Sequence, residues 1–209
     1  MLAFPNAYVS TDEPPRRSRV RTALCVAAMV GVGYLGLVIL GLSLFSTRYS
    51  PITQVASDYG VGTYALAMNS GFFLAGVGVI SLGWAAFSSA DRRSQRIGSV
   101  LLFPAGLALV VNAFNPTDIE GAVRTLHGTI HGFGGAVFFF TAPAALLLVT
   151  YGLGRRGFFV SLLAFAVAVV LLALDTPLSL NAAGLAERVA ILVIFTSAIL
   201  TSVRILRRT

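Results

Sequence analysis

Long uncharged apolar runs alternate with short polar segments along most of the chain. A helix that crosses the hydrocarbon core of a bilayer needs about 20 mostly apolar residues. The first five runs are 18 to 28 residues long, so each is close to or above that length. The six runs are Leu24–Phe45, Val61–Phe87, Ile97–Phe114, Leu126–Leu153, Gly157–Leu174 and Val189–Val203. The pattern predicts a membrane protein rather than a soluble domain.

The sixth run is too short to cross a membrane by itself. Its fifteen residues, between Arg188 and Arg204, cover roughly 22 Å of a core that is about 30 Å thick. We therefore expect the helix to extend past both arginines, with Glu187 and Arg188 at one interface and Arg204 reaching the other. The prediction is an all-α integral membrane bundle of six transmembrane helices, at about residues 24–45, 61–87, 97–114, 126–153, 157–174 and 185–206.

The composition excludes a soluble globular domain, a nucleic-acid-binding protein and a disulfide-rich protein. Charged residues make up 11% of the chain, against roughly 25% in a soluble domain. The fifteen basic residues are all arginine and cluster between the apolar runs, so the net charge of +7 does not indicate nucleic-acid binding. A single cysteine, Cys25, excludes a disulfide framework. We expect a disordered cytoplasmic tail over residues 1–21 and one six-helix domain over 22–209.

The arginine distribution predicts the orientation. Twelve arginines lie in the tail, the 2–3 and 4–5 connections and the C-terminus, and three lie in the remaining connections. Arginine-rich connections face the cytoplasm, so both termini are expected there. The first apolar run has 22 residues, longer than the core of a signal peptide, and we expect it to be a retained anchor.

Polar and ionisable residues gather at the opposite end of the bundle, called here the acidic end, and some of them lie at membrane depth. Such groups are costly in lipid and usually face the bundle interior or a wet cavity. They include Asp58, Asn69, Asn112, Asp118, Glu120, Arg124, His127, His131, Glu187 and Arg188. We expect Asn69, Asn112, His131 and Glu187 to surround one polar pocket.

The segment before the fourth run contains the densest set of polar residues. Thr117 followed by Glu120 matches a capping box, which predicts that the fourth helix begins there. Glu120, Arg124, His127 and His131 would then lie on one helix face. That stripe is either a metal or acid–base site, or a ladder of hydrogen bonds and ion pairs that pins the helix.

His127 and His131 are spaced so that both can bind one metal ion. A third ligand would come from a carboxylate, and the candidates are Asp58, Asp118, Glu120, Asp175 and Glu187. Zinc is the candidate cofactor. Gly128 and Gly132 follow at the spacing of close helix packing, which predicts a neighbouring helix beside the histidines.

Two further elements allow two interpretations each. The segment Ser57-Asp58-Tyr59-Gly60 is either a turn that leads into the second helix or part of a site at the acidic end. Glu187 and Arg188 are either an interfacial ion pair at the start of the sixth helix, or they supply an acid to a cleft.

At these residues the chain resembles a bacterial and archaeal six-helix membrane family, the domain of unknown function 998. The resemblance covers about residues 24–205 and rests on Ser57-Asp58, Asn69, Phe114-Asn115-Pro116-Thr117-Asp118, His127-Gly128-x-x-His131 and Gly184-Leu185-x-Glu187-Arg188. It implies a multi-pass protein of the bacterial or archaeal plasma membrane and no established activity. The Ser-Asp-x-Gly turn and the Gly135-Ala136 pair after His131 are also similar to a eukaryotic six-helix group that includes lipid-anchor remodelling factors.

The first functional hypothesis is a non-enzymatic protein that binds or handles lipid. The polar cluster at the acidic end would fix the helix packing or hold a lipid headgroup, with Asn69, Asn112, Arg124 and Arg188 as candidate binding residues. Its expected partners are membrane lipids and a membrane-protein partner or a second copy of the chain, but no nucleic acid.

The alternative is a metal-dependent hydrolase or remodelling enzyme acting on a lipid at the outer leaflet. The histidine pair with Asp118 or Glu120 would hold zinc, which lowers the pKa of a bound water to near 7. Asp58 or Glu187 would act as the base. A small transporter or signalling subunit is a second alternative, although no internal repeat supports transport.

Overall fold

The chain folds as a bundle of α-helices. The computed structural model describes residues 16–119, 121–151, 153, 155–174 and 182–208. Its helices are α1 (Arg16–Phe45), α2 (Ala65–Ser88), α3 (Arg93–Phe114), α4 (Leu126–Thr150), α5 (Arg155–Leu174) and α6 (Ala183–Leu206). No strand occurs in the described residues, so the predicted all-α architecture with six helices is confirmed.

The start of α1 differs from the prediction of a disordered tail. The helix begins at Arg16 and therefore includes residues 16–21, because the arginine-rich turn simply continues the helix towards the N-terminus. The other tail residues, 1–15, lie outside the described residues.

Five of the helices are long and apolar enough to cross a membrane. They are α1, α2, α3, α4 and α6, and the described apolar stretch of α5, Gly157–Val167, is shorter. Together with the bundle architecture, these lengths make the chain a multi-pass membrane protein.

The six helices pack as a ring in chain order. Each helix contacts the next one along the chain, and α6 returns to contact α1. Close approaches join α1 to α2 and α2 to α3: a Cβ added at Gly31 would overlap the carbonyl oxygen of Leu74, and one at Gly76 would lie 2.6 Å from that of Gly106. Backbone contact of this kind is typical of small residues in membrane bundles. Because the ring closes, the connection between α1 and α2 lies against the start of α6.

Helix α4 begins later than the sequence predicts. Thr125 is its N-cap, and the Thr125 hydroxyl accepts a hydrogen bond from the backbone N–H of Gly128 at 3.0 Å. The capping box predicted at Thr117 and Glu120 is therefore wrong, and Glu120 itself lies outside the described residues. Arg124 precedes the helix and is exposed, so it does not share a helix face with the histidines.

Candidate functional site

The polar residues at the acidic end form two groups of contacts. The histidine group joins the end of α3 to the start of α4, and its members are Asn112, Asn115, Asp118, Thr125, His127 and His131. The connector group joins the α1–α2 connection to α6, and its members are Ser43, Gln54, Ala56, Asp58, Glu187 and Arg188.

Asn115, the residue after α3, bonds to both histidines. The Nδ1 atom of His127 lies 2.9 Å from the side-chain oxygen of Asn115, and the Nδ1 atom of His131 lies 2.7 Å from its backbone oxygen. Because both partners are oxygen acceptors, each neutral ring donates from Nδ1. Each Nε2 then has a lone pair that is not used in these bonds.

The two histidines differ in their surroundings. His131 is buried, and its ring meets the edge of Phe72 on α2, with centroids 5.7 Å apart. His127 is exposed. Asn112 is buried beside Gly134, and its side-chain oxygen has no hydrogen-bond partner among the described residues. His131 therefore belongs to the bundle interior, while His127 lies on the surface at the acidic end.

Asp118 is bonded to the cap of α4. Its carboxylate accepts hydrogen bonds from the Thr125 backbone N–H at 2.8 Å and from the Thr125 hydroxyl at 2.7 Å. These two bonds lower the pKa of Asp118 from its ordinary value, because they stabilise the ionised carboxylate. The carboxylate also fills the space beside Gly128. Asp118 is therefore an ionised part of the helix cap.

The glycines of α4 do not pack as predicted. Gly128 faces the Asp118 side chain, and a Cβ at Gly132 or Gly135 would meet nothing within 4 Å. The prediction of a helix packed against Gly128 and Gly132 is therefore wrong. Helix α4 approaches α3 closely elsewhere: a Cβ at Gly98 of α3 would lie 2.6 Å from the carbonyl oxygen of Ala145, and one at Gly134 of α4 would lie 3.3 Å from that of Ala108.

The predicted metal ligands come together only in part. Among the described residues, no three side chains of His, Cys, Asp or Glu form a group that could hold a metal ion. Glu120 and Asp175, two candidates for the third ligand, lie outside those residues. Zinc at His127 and His131 remains a prediction.

The connection between α1 and α2 forms a 3₁₀ turn, Ala56–Gly60, of which every residue is buried. The Glu187 carboxylate accepts a hydrogen bond from the Ala56 backbone N–H at 2.5 Å. The carboxylate of Asp58 lies close enough to act electrostatically on Glu187. The two residues predicted as catalytic are therefore neighbours, and one of them holds the turn.

Arg188 binds the same connection from α6. Its Nε donates to the Ser43 hydroxyl at 2.9 Å, and its NH1 donates to the carbonyl oxygens of Gln54 and Gly184 at 2.7 and 2.9 Å. The guanidinium carbon lies 5.9 Å from the centre of the Tyr59 ring. The remaining nitrogen, NH2, is buried and has no hydrogen-bond partner among the described residues.

Asn69 on α2 lies between the two groups. Its side-chain nitrogen donates to the Gly60 carbonyl at 3.1 Å, and Phe72, one turn later, contacts His131. Asn69 also lines a cavity of about 570 Å³ between α2 and α3, together with Ala65, Leu66, Ser70, Phe73, Ala113 and Phe114. The contacts do not join the four residues predicted to surround one pocket. Asn69 bonds to Gly60, Asn112 and His131 belong to the histidine group, and Glu187 belongs to the connector group.

A groove of about 450 Å³ lies between α1 and α6. It exists because two glycines of α1 have no side chain there: a Cβ at Gly33 would meet nothing within 4 Å, and one at Gly36 only the Phe195 ring at 3.9 Å. Its lining is apolar apart from Ser43, Thr196 and Arg188. Arg188 is the only charged residue among the described residues that line it.

Comparison with known families agrees with this architecture. The model of a family described as a protein of unknown function, DUF998, matches residues 28–204. The chain belongs to the DUF998 family. No curated protein matches this DUF998 chain, and no solved structure matches it. Its function must therefore be inferred from the arrangement of its own residues.

Sequence reasoning missed the groove of this DUF998 protein and most of the connector group. Arg188 was among the candidate binding residues, but its partners Ser43 and Gln54 are 145 and 134 residues away in the chain. The available signal was the pair Gly33 and Gly36, one turn apart in an apolar helix. The two glycines could predict a surface of α1 without side chains, but they could not predict that α6 lies opposite that surface.

Proposed function

We propose that this DUF998 protein binds a membrane lipid of a bacterial or archaeal plasma membrane, with one acyl chain in the groove between α1 and α6. The observation that carries the proposal is the groove itself, which is largely apolar and is lined at one end by Arg188, a half-buried arginine whose NH2 nitrogen is buried. Its volume of about 450 Å³ is within the range of ligand pockets.

The direction and exposure of the groove support an acyl chain as the occupant. From Arg188 to Ile199 the lining extends over about 16 Å along α6, parallel to the helix axis. Leu37, Leu40 and Leu192 line it and are exposed, with 70%, 54% and 66% of their surface accessible. The groove is therefore open on the side that faces lipid, and a chain can enter it from the bilayer.

The test is to fill the groove at a glycine. Gly36→Leu would occupy the space in front of Phe195, whereas Gly41→Leu adds the same side chain to the same helix outside the groove lining. The purified protein is reconstituted with phosphatidylcholine that carries a photoreactive diazirine in one acyl chain. We expect crosslinks to residues of the groove in the wild type and in Gly41→Leu, and a several-fold loss in Gly36→Leu. Equal labelling of all three proteins would contradict the proposal.

One observation favours a second candidate, the metal-dependent lipid hydrolase. Asn115 accepts hydrogen bonds from Nδ1 of both His127 and His131. Histidines that bind a metal commonly donate the proton of the other ring nitrogen to such an acceptor, which fixes the tautomer. Zinc would then be held by the two Nε2 atoms with further ligands, and its content in the purified protein tests this candidate.

A further inference from the structure

We infer that the lipid in the groove is a phospholipid, and that an oxygen of its phosphodiester accepts a hydrogen bond from the NH2 group of Arg188. The inference rests on the proposed function, because it concerns the same groove. It adds the chemical class of the lipid and the residue that recognises it.

The hydrogen bonds of Arg188 leave one nitrogen for a ligand. Nε donates a hydrogen bond to the Ser43 hydroxyl, and NH1 donates hydrogen bonds to the carbonyl oxygens of Gln54 and Gly184. NH2 is buried and has no partner among the described residues. A buried charged donor without an acceptor is costly, so the site is complementary to an oxygen that comes from outside the chain.

The level of the guanidinium favours a headgroup phosphate. Arg188 bonds back to Gly184, one turn towards the start of α6, and α6 begins at Ala183. Its other partner, Ser43, lies two residues before α1 ends at Phe45. The charged group therefore lies where both helices end, which is the level of the lipid phosphates rather than of the hydrocarbon core. The groove extends from that level towards the centre of the bundle.

The charges around Arg188 favour a singly charged phosphodiester. Glu187 is the acidic residue that interacts electrostatically with Arg188, and its carboxylate is bonded to the Ala56 amide. A carboxylate beside the guanidinium lowers the positive potential that the guanidinium creates. A doubly charged phosphate monoester would be repelled more strongly than a phosphodiester, which carries one charge.

The experiment measures competition for groove crosslinking in the full chain. The photoreactive phosphatidylcholine is the probe, and the competitors have the same acyl chains: phosphatidylcholine, phosphatidic acid, diacylglycerol and the free fatty acid. In the wild type we expect phosphatidylcholine to compete about tenfold better than diacylglycerol, the value of one hydrogen bond to a charged group. Arg188→Gln should bring the two lipids within about twofold of each other.

Two variants complete the test. Arg48→Gln removes an exposed arginine at the same end of the bundle, outside the groove lining, and should keep the full preference. Arg188→Lys keeps the charge but has one nitrogen in place of three, so we expect at least about a threefold loss of preference. If Arg188→Gln does not yield folded protein, Arg188→Lys tests whether Arg188 sets the preference for the phospholipid.

The outcomes separate this inference from the proposed function. Crosslinks in the groove without a preference for phosphate, or a preference that both Arg188 variants retain, would overturn the role of Arg188 and leave lipid binding intact. Stronger competition by the fatty acid or by phosphatidic acid would overturn the phosphodiester. An absence of crosslinks in the groove would instead contradict the proposed function.

Discussion

The carboxylate of Glu187, in the second turn of α6, accepts a hydrogen bond from the backbone amide of Ala56, 131 residues earlier in the chain. Ala56 is fully buried, so its amide cannot bond to water instead. The bond therefore joins the first connection of the bundle to its last helix.

Removal of this acceptor is expected to destabilise the bundle. Glu187→Ala would leave the Ala56 amide without a partner, at a cost of about 1–3 kcal/mol in the free energy of unfolding. Glu187→Gln keeps an oxygen at the same position and is the matched control, with a smaller loss. Unfolding by denaturant in detergent micelles measures both. Identical stability of Glu187→Ala and the wild type would show that the amide finds another acceptor.

The lowered pKa of Asp118 predicts that the folded protein loses stability in acid. Because its pKa in the folded protein is lower than its ordinary value of 3.8, the stabilisation by Asp118 is fully present above that value. It is lost as the pH falls through the lowered pKa. The melting temperature should fall less between pH 5 and pH 2 in Asp118→Asn than in the wild type. The exposed Asp91→Asn is the control and should follow the wild-type curve.

Two glycines of α4, one turn apart, should respond differently to alanine. A Cβ at Gly128 would overlap the Asp118 carboxylate, which would have to leave Thr125. At Gly132 the Cβ meets nothing within 4 Å, and alanine is favoured over glycine in a helix by up to about 1 kcal/mol. Gly128→Ala should therefore lower the melting temperature, whereas Gly132→Ala should leave it unchanged or raise it. A fall in both variants would contradict the cap geometry.

The histidine pair tests the hydrolase candidate. If the pair is structural, His131→Gln should cost about 1–3 kcal/mol in the free energy of unfolding, because His131 is buried against Asn115. The exposed His127→Gln should cost less. Metal analysis of the same proteins is the second measurement. Stoichiometric zinc in the wild type, lost in both variants without loss of folded protein, would support the metal site that the hydrolase requires.

The orientation of the bundle remains a prediction, which single cysteines can test. Thr53 and Arg124 are exposed at the acidic end and are therefore suitable positions for such cysteines. In a Cys25→Ser background, cysteines at these two positions should react with an impermeant thiol reagent in intact cells. A cysteine at the exposed Arg92 should react only after lysis. Reaction at position 92 in intact cells would reverse the predicted orientation.

The helices were predictable because each is encoded locally. An apolar run of membrane length has few alternatives in lipid, where every backbone polar group needs an internal partner. The start of α4 was not predictable in the same way. Thr117 and Thr125 are both plausible caps, and the choice between them depends on Asp118, which bonds to Thr125 across seven residues.

The connector group depends on contacts that no local pattern contains. Ser57-Asp58-Tyr59-Gly60 was interpreted as a turn or as part of a site, and it is a fully buried turn. Glu187 bonds to Ala56 at the start of this turn and Arg188 bonds to Gln54 just before it, so the contacts join residues that are more than 130 positions apart in the chain. Such pairings require the order of the helices in the ring, which the sequence alone does not specify.

The buried turn has a consequence for biosynthesis. The amide of Ala56 and the carbonyl oxygen of Gln54 find their partners only when Glu187 and Arg188 have been made. At translation rates of about 5–20 residues per second, the 131 residues between Ala56 and Glu187 take roughly 7 to 26 s. During that interval the first helices of the nascent chain are in the membrane, and the Ala56 amide and the Gln54 carbonyl oxygen beside them have not yet met Glu187 and Arg188. Ribosome-bound chains that end before α6 should therefore be cleaved by protease near this turn, and the finished chain should resist.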